Sequence, residues 1–197
     1  FVNFKSLFLM IKKKIVYVGL SADILHEGHI NILNIAHKFG KVIVGLLTDE
    51  AIATYKKLPH LNFNQRKIVL KNIKYVDKVI PQTTLDYTKN LKLIKPDYVV
   101  HGDVWRKGIQ KKTSDKVVKT LKKWSGKLIE VKYTKNISST KIKEKIFKAG
   151  TSPENRITML KRLINAKKIV RILESHNSLT GLIIEKLKIS KEENFLE

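Results

Sequence analysis

Ile15-Val16-Tyr17-Val18-Gly19-Leu20-Ser21-Ala22-Asp23-Ile24-Leu25-His26-Glu27-Gly28-His29 is the stretch that decides the fold. A β-branched apolar run stops. Two histidines three apart follow, with a glycine directly before the second, and then an amphipathic segment. A strand that hands over to a helix at such a point is where open α/β sheets place phosphate chemistry.

Outward from it, short apolar runs alternate with longer amphipathic ones. Strands are predicted at Lys14–Leu20, Lys41–Leu47, Lys78–Ile80 (ended by Pro81), Asp97–His101 and Lys127–Tyr133. Helices are predicted at Gly28–Phe39 with Gly40 as its stop, from Asp49, at Asn64–Ile73, at Leu85–Ile94 closed by Pro96, around Val117–Trp124, and at Ser138–Lys148. Alternation of this kind implies an α/β, Rossmann-like three-layer parallel sheet with right-handed crossovers. The first domain is expected over residues 10–150. Residues 151–197 hold a linker (Thr151-Ser152-Pro153), a helix (Glu154–Asn165), a strand-like run (Lys168–Leu173) and a helix (Ser178–Leu187). Forty-odd residues cannot close an α/β core alone, so a fragment of something longer is expected. Residues 1–9 precede Met10 and are read as upstream translated sequence.

The chain of 197 residues is 43% hydrophobic, has no cysteine and carries a net charge of +23. Lack of cysteine excludes disulfides and cysteine-based metal sites and fits a reducing, cytoplasmic setting. No apolar stretch is long enough to span a membrane. The lysines are spread along the chain, so the charge implies salt-sensitive adhesion to polyanions and no specific nucleic-acid binding.

At the motif, Gly28 has no Cβ to keep a phosphate from the backbone, and the helix start aims free N–H groups at the same place. Two imidazoles there can donate hydrogen bonds to phosphate oxygens. This suits charge stabilisation during in-line displacement at phosphorus. Ser138, Ser139 and Thr140, at a second helix start, form another anion cradle or a plain N-cap.

The stretch Gly19–His29 resembles the signature of the cytidylyltransferase-like nucleotidyltransferases, of the glycerol-3-phosphate cytidylyltransferase type. Leu47-Thr48-Asp49-Glu50, Asn64-Gln65-Arg66-Lys67, Tyr75-Val76-Asp77, His101-Gly102-Asp103-Val104-Trp105 and Ile137-Ser138-Ser139-Thr140 follow in the family's order. The resemblance implies His26, His29 and Lys56 as catalytic residues, Lys56 (with Lys57 beside it) clamping phosphates from a mobile loop or simply solvated. It implies nucleotide contacts from Gly19, Leu20, Ser21, Asp23, Gly28, Gly102, Asp103, Ile137, Ser138, Ser139 and Thr140. Asp49, Arg66 and Trp105 are implied at the second substrate, Arg66 there or at the triphosphate, against Arg66 as a surface helix arginine and Trp105 as a core or lid aromatic. It also implies CTP as donor, Mg²⁺ on the phosphates with no protein metal site, and a homodimer. The chain departs from the pattern at Tyr133-Thr134-Lys135-Asn136, where the family often has Arg-Thr-x-Gly, and at Val104, where an acidic residue is common.

The segment Lys168–Glu185, with Ser175-His176-Asn177-Ser178-Leu179, is similar to the start of phosphoenolpyruvate mutase, a (β/α)8 barrel of the isocitrate lyase superfamily. A truncated barrel start is therefore expected, and with it phosphonate biosynthesis and an acceptor such as 2-aminoethylphosphonate. The mutase's own catalytic loop would lie past Glu197. The rival readings are an ATP-using adenylyltransferase of the same superfamily and a catalytically silent nucleotide-binding module of a longer mutase.

Overall fold

The computed structural model describes residues 13–103, 109–132, 134, 142, 153–170 and 172–186. Five strands form one sheet: β1 (Ile15–Leu20), β2 (Lys41–Leu47), β3 (Lys78–Gln82), β4 (Tyr98–Gly102) and β5 (Lys127–Val131). Their order is β3-β2-β1-β4-β5, and every pairing is parallel. The chain steps outward from β1 through β2 to β3. It then returns to the other side of β1 for β4 and β5. The order reverses between β1 and β4, the place where open α/β sheets bind ligands, beyond the strands' carboxyl ends.

Both sheet faces are covered, which is why the strands read as nearly unbroken apolar runs. On one face Val16, Val18, Val42, Val44 and Leu46 pack on Leu33 and Ala36 of α1 (Glu27–Phe39) and Leu70 of α3 (Phe63–Lys71). On the other, Tyr17 and Val99 pack on Tyr87 and on Leu91 of α4 (Thr88–Ile94), with Val117 and Leu121 of α5 (Ile109–Leu121). A short α2 (Asp49–Ala53) follows β2, and a 3₁₀ turn (Lys122–Trp124) precedes β5. Two aspartates fix where strands begin. Asp97 accepts from Ile15 N at 2.7 Å and Asp77 from Val42 N at 2.8 Å.

Pro81 lies inside β3, paired with Leu46, and does not end the strand. β3 is an edge strand, and an edge tolerates a residue without an N–H. α1 ends at Gly40, whose φ of 152° suits glycine and whose hypothetical Cβ would strike the Lys14 carbonyl. The helix expected at Ser138–Lys148 lies outside the described residues apart from Ile142.

The chain divides into two compact units between Lys167 and Lys168. α6 (Pro153–Ala166) belongs to the first and packs on α2. In the second, α7 (Ser178–Lys186) is present. The strand expected at Lys168–Leu173 is absent among the described residues of that run. β-branched residues hold an extended ladder only beside a partner strand, and Ile172 is 80% exposed. No described helix is long and apolar enough to cross a membrane.

Candidate active site

β1 ends at Leu20 and the chain enters a loop in which Ala22 adopts φ 47°. The loop delivers His26 to the start of α1, where it serves as the N-cap. Its Nδ1 accepts from Gly28 N at 3.2 Å. His29, three residues on, returns the favour: its Nδ1 faces His26 N at 3.4 Å. The pair is a capping box made of imidazoles. The rings lie 4.1 Å apart between centroids, tilted 49°. A Cβ on residue 28 would sit 3.0 Å from the His26 ring, so glycine there makes room for that ring.

The capping geometry decides the tautomers. A ring nitrogen that accepts from a backbone N–H carries no proton, so each neutral ring holds its proton on Nε2. Burial, then the nearby His26 and Lys56 charges, push His29 down to about 4. Burial also lowers His26. Both rings are therefore neutral Nε2–H donors at neutral pH.

Lys56, just past α2, donates from Nζ to Ser21 Oγ at 3.0 Å and lies 5.2 Å over the Tyr55 ring. Ser21, His29 and Lys56 thus share one crevice at the carboxyl end of β1. Asp23 is buried, and its Oδ1 accepts from His60 N at 2.6 Å, which ties the β1 loop to the segment that carries Lys56. At the neighbouring strand, Gly102 is buried at the end of β4 and Asp103 follows it. His101 sits beside them with Nδ1 2.9 Å from Gly102 O, and burial pushes it down to about 4.

Arg66 differs from the sequence readings. It is neither a surface arginine nor open to a substrate, being 0% exposed. Nη1 donates to Ser21 O (2.6 Å) and Leu47 O (2.8 Å), Nε to Leu61 O (3.1 Å) and Nη2 to Asp49 Oδ1 (2.6 Å). It holds together the ends of β1 and β2 and the segment before α3. Asp49, expected at the second substrate, spends its carboxylate on Arg66 and, at 3.0 Å, on Arg162 of α6. Gly19 has a packing role: a Cβ there would run into the Tyr87 ring on the α4 face. Leu20 is buried in the α1 face.

Trp105, Ile137, Ser138, Ser139 and Thr140 lie outside the described residues. Thr134, three residues before Ile137, is described. It accepts from Asn31 Nδ2 at 3.2 Å, and its Oγ1 lies 3.5 Å from the Cβ position of Gly28. The chain after β5 thus comes back to the start of α1. Sequence reasoning missed Arg162, which no motif marks, and the backbone of His60.

No described group of three or more histidines and carboxylates could cage a metal ion. The motif's Nδ1 atoms are spent on their own helix. Mg²⁺ prefers oxygen ligands and is commonly held by substrate phosphates and water. The described donor set fits an ion that arrives on a polyphosphate.

The chain matches the Cytidylyltransferase-like family over residues 17–145. It is 34% identical over 145 residues to glycerol-3-phosphate cytidylyltransferase of Bacillus subtilis (strain 168), covering 68% of this chain and 97% of that one. It is 32% identical over 136 residues to ethanolamine-phosphate cytidylyltransferase of Arabidopsis thaliana, covering 64% of this chain and 31% of that one. Among solved structures, the lipopolysaccharide core biosynthesis protein of Thermoplasma volcanium GSS1 superposes with a TM-score of 0.52 at 24% identity, over 64% of this chain and 99% of that one. This last likeness supports the sheet-and-helix fold. With the motif at the strand-order reversal and the family match reaching from within β1 to beyond β5, the chain belongs to the cytidylyltransferase-like nucleotidyltransferases.

Proposed function

We propose that the protein transfers CMP from CTP to a small phosphonate or phosphoalcohol and releases pyrophosphate. The observation that carries this reading is the pair of neutral Nε2–H donors of His26 and His29, fixed at the end of β1 beside Lys56. In the reaction the acceptor's oxyanion attacks the α-phosphorus, a new P–O–P linkage forms, and the bond to the β-phosphate's bridging oxygen breaks. The nucleophile is already ionised, so no general base is required. Pyrophosphate leaves with the electron pair. Fixed donors that meet the growing charge supply the acceleration. His26 and His29 donate to phosphate oxygens, Lys56 neutralises charge on the same group, and Ile137–Thr140 supply hydroxyls and backbone N–H groups. Bound Mg²⁺ would neutralise charge across the phosphates.

Two curated relatives are named for glycerol-3-phosphate and ethanolamine phosphate. The likeness of residues 168–185 to a phosphoenolpyruvate mutase start supports a phosphonate in this chain. 2-Aminoethylphosphonate differs from ethanolamine phosphate by loss of the single ester oxygen, so a site for one is close to a site for the other. A cytoplasmic homodimer completes the proposal, supported by the family resemblance. The test is pyrophosphate release with CTP and ATP side by side, each with 2-aminoethylphosphonate, ethanolamine phosphate and glycerol-3-phosphate. CTP with the first acceptor is expected to lead. An ATP preference overturns the donor, a glycerol-3-phosphate preference overturns the phosphonate reading, and silence with every pair overturns the reaction.

A further inference from the structure

We propose that Arg162, on α6, is a positioning residue that holds the Lys56 loop in its working geometry. The family match ends at residue 145, so α6 lies beyond it. The inference rests on the proposed role of Lys56.

The segment from Thr54 to Asn62 joins α2 to α3 and carries Lys56. Its core contacts are Leu58 and Pro59, which are buried, and Tyr55, which is half-buried, while Lys56, Lys57, His60 and Leu61 are exposed. The exposed part depends on what its backbone is tied to. Among the described residues, three side chains from elsewhere hold that backbone. Asp23 takes His60 N, Arg66 gives to Leu61 O, and Arg162 Nη1 gives to His60 O at 2.9 Å. Two of these come from the loop after β1 and from α3, within the family match, and Arg162 comes from α6. Its Nη2 reaches Asp49 Oδ2 at 3.0 Å, at the first residue of α2. One guanidinium thus bridges the start of α2 and the far end of the loop, with Lys56 between the two anchor points. A forked, planar cation can do this and an ammonium cannot.

The side chain is drawn inward and not left in water. It is 17% exposed, and its Nε is buried with no hydrogen-bond partner among the described residues. A helix that served only to cover apolar surface would gain nothing from burying a cation this way. Asp49 is already matched by Arg66, so Arg162 is not needed to neutralise it. Its distinct contribution is the carbonyl of His60. Catalytic groups tolerate little displacement, and a shift of about 1 Å can cost about a hundredfold in rate.

The test uses the full chain in four forms: wild type, Arg162→Ala, Lys56→Ala and the double variant. CTP dissociation constants are measured alongside amide hydrogen exchange. Arg162→Ala is expected to weaken CTP binding about tenfold in the wild-type background and less than about twofold in the Lys56→Ala background, because a residue acting through Lys56 has nothing left to position there. Equal factors in both backgrounds would mean a general stability effect and overturn the proposal. In the absence of nucleotide, amides within residues 55–61 are expected to exchange about tenfold faster in Arg162→Ala, with β1 and β2 unchanged. Unchanged loop exchange, or uniform acceleration throughout, also overturns it. If wild type binds no CTP, the proposed function falls while the exchange result still decides whether Arg162 holds the loop. Arg162→Lys is expected to behave as Arg162→Ala in exchange; full rescue by lysine would show that charge alone suffices and refute the bridging role.

Discussion

Removing the Arg66 guanidinium should unfold much of what holds the site together. In Arg66→Met the side-chain volume is roughly kept and the donors are lost. The carbonyls of Ser21, Leu47 and Leu61 then have no guanidinium to accept from, and Asp49 retains only Arg162. An acceptor stranded in the interior costs about 1–3 kcal/mol. Water entering beside the shortened polar surface recovers part of this, and Asp49 keeps one cation. About 4 kcal/mol is expected, within the range for one-sided removal of a buried ion-pair partner. For a domain stabilised by about 5–15 kcal/mol this is a large fraction. Arg66→Lys should lose about half as much, since one ammonium cannot serve three carbonyls and a carboxylate lying in different directions. The assay is urea unfolding followed by circular dichroism, with the slope required to stay constant so that the midpoint reports stability. A loss under about 1 kcal/mol in Arg66→Met would refute the buried-hub reading. It would return Arg66 to the role suggested by resemblance, in which the variant spares stability and raises the acceptor's KM.

His29→Ala should lower turnover about 10²–10³-fold with the thermal transition retained, since one preorganised donor to the transition state is removed; turnover within about threefold of wild type would refute the role. Burial holds His29 and His101 at about 4 in the folded chain, below the ordinary histidine value. Between that value and about 6.5 the unfolded chain binds protons that the native chain refuses, so stability should be intact above about 6.5 and fall as pH drops towards 4. Urea midpoints at pH 7 and pH 5 check this, and equal midpoints refute it. Gly19→Ala drives a Cβ into the Tyr87 ring and should cost about 1–3 kcal/mol. In a Tyr87→Ala background the same change should cost far less, and equal costs would show that the ring is not the obstacle.

How much of this could be read in advance follows from the range of each interaction. The strand-to-helix handover at His26–His29 is local, and its apolar run and helical spacing lie within a few residues of one another, so it was legible. Pro81 was misread because its tolerance depends on β3 lying at a sheet edge, a property of strand order and not of the residues around it. The run Lys168–Leu173 has strand composition, but a strand exists only when a partner supplies the ladder. Arg66 was hidden most deeply. Its partners lie at Ser21, Leu47, Asp49 and Leu61, three of them 17 to 45 positions away, and α3 around it is polar enough to look like a surface helix. Arg162 reaches 113 positions to Asp49, and no local pattern signals it.

The spacing of three between His26 and His29 joins local structure to chemistry. It is the spacing of an N-cap and the third residue of a helix, so each imidazole satisfies a backbone N–H with Nδ1. That bond fixes the ring plane and leaves the proton on Nε2. A pair of carboxylates in this role would cap the helix and leave only acceptors, with no donor for a phosphate oxygen. Burial also keeps both rings uncharged, so no imidazolium stands beside Lys56. A polyphosphate arriving there would meet two Nε2–H donors whose Nδ1 atoms stay on the helix. Protonating either ring would set a proton on Nδ1 against the N–H that it caps, so the cap opposes the charged form. Negative charge growing on phosphorus would therefore be met by N–H dipoles that the helix has already oriented, beside the Lys56 ammonium.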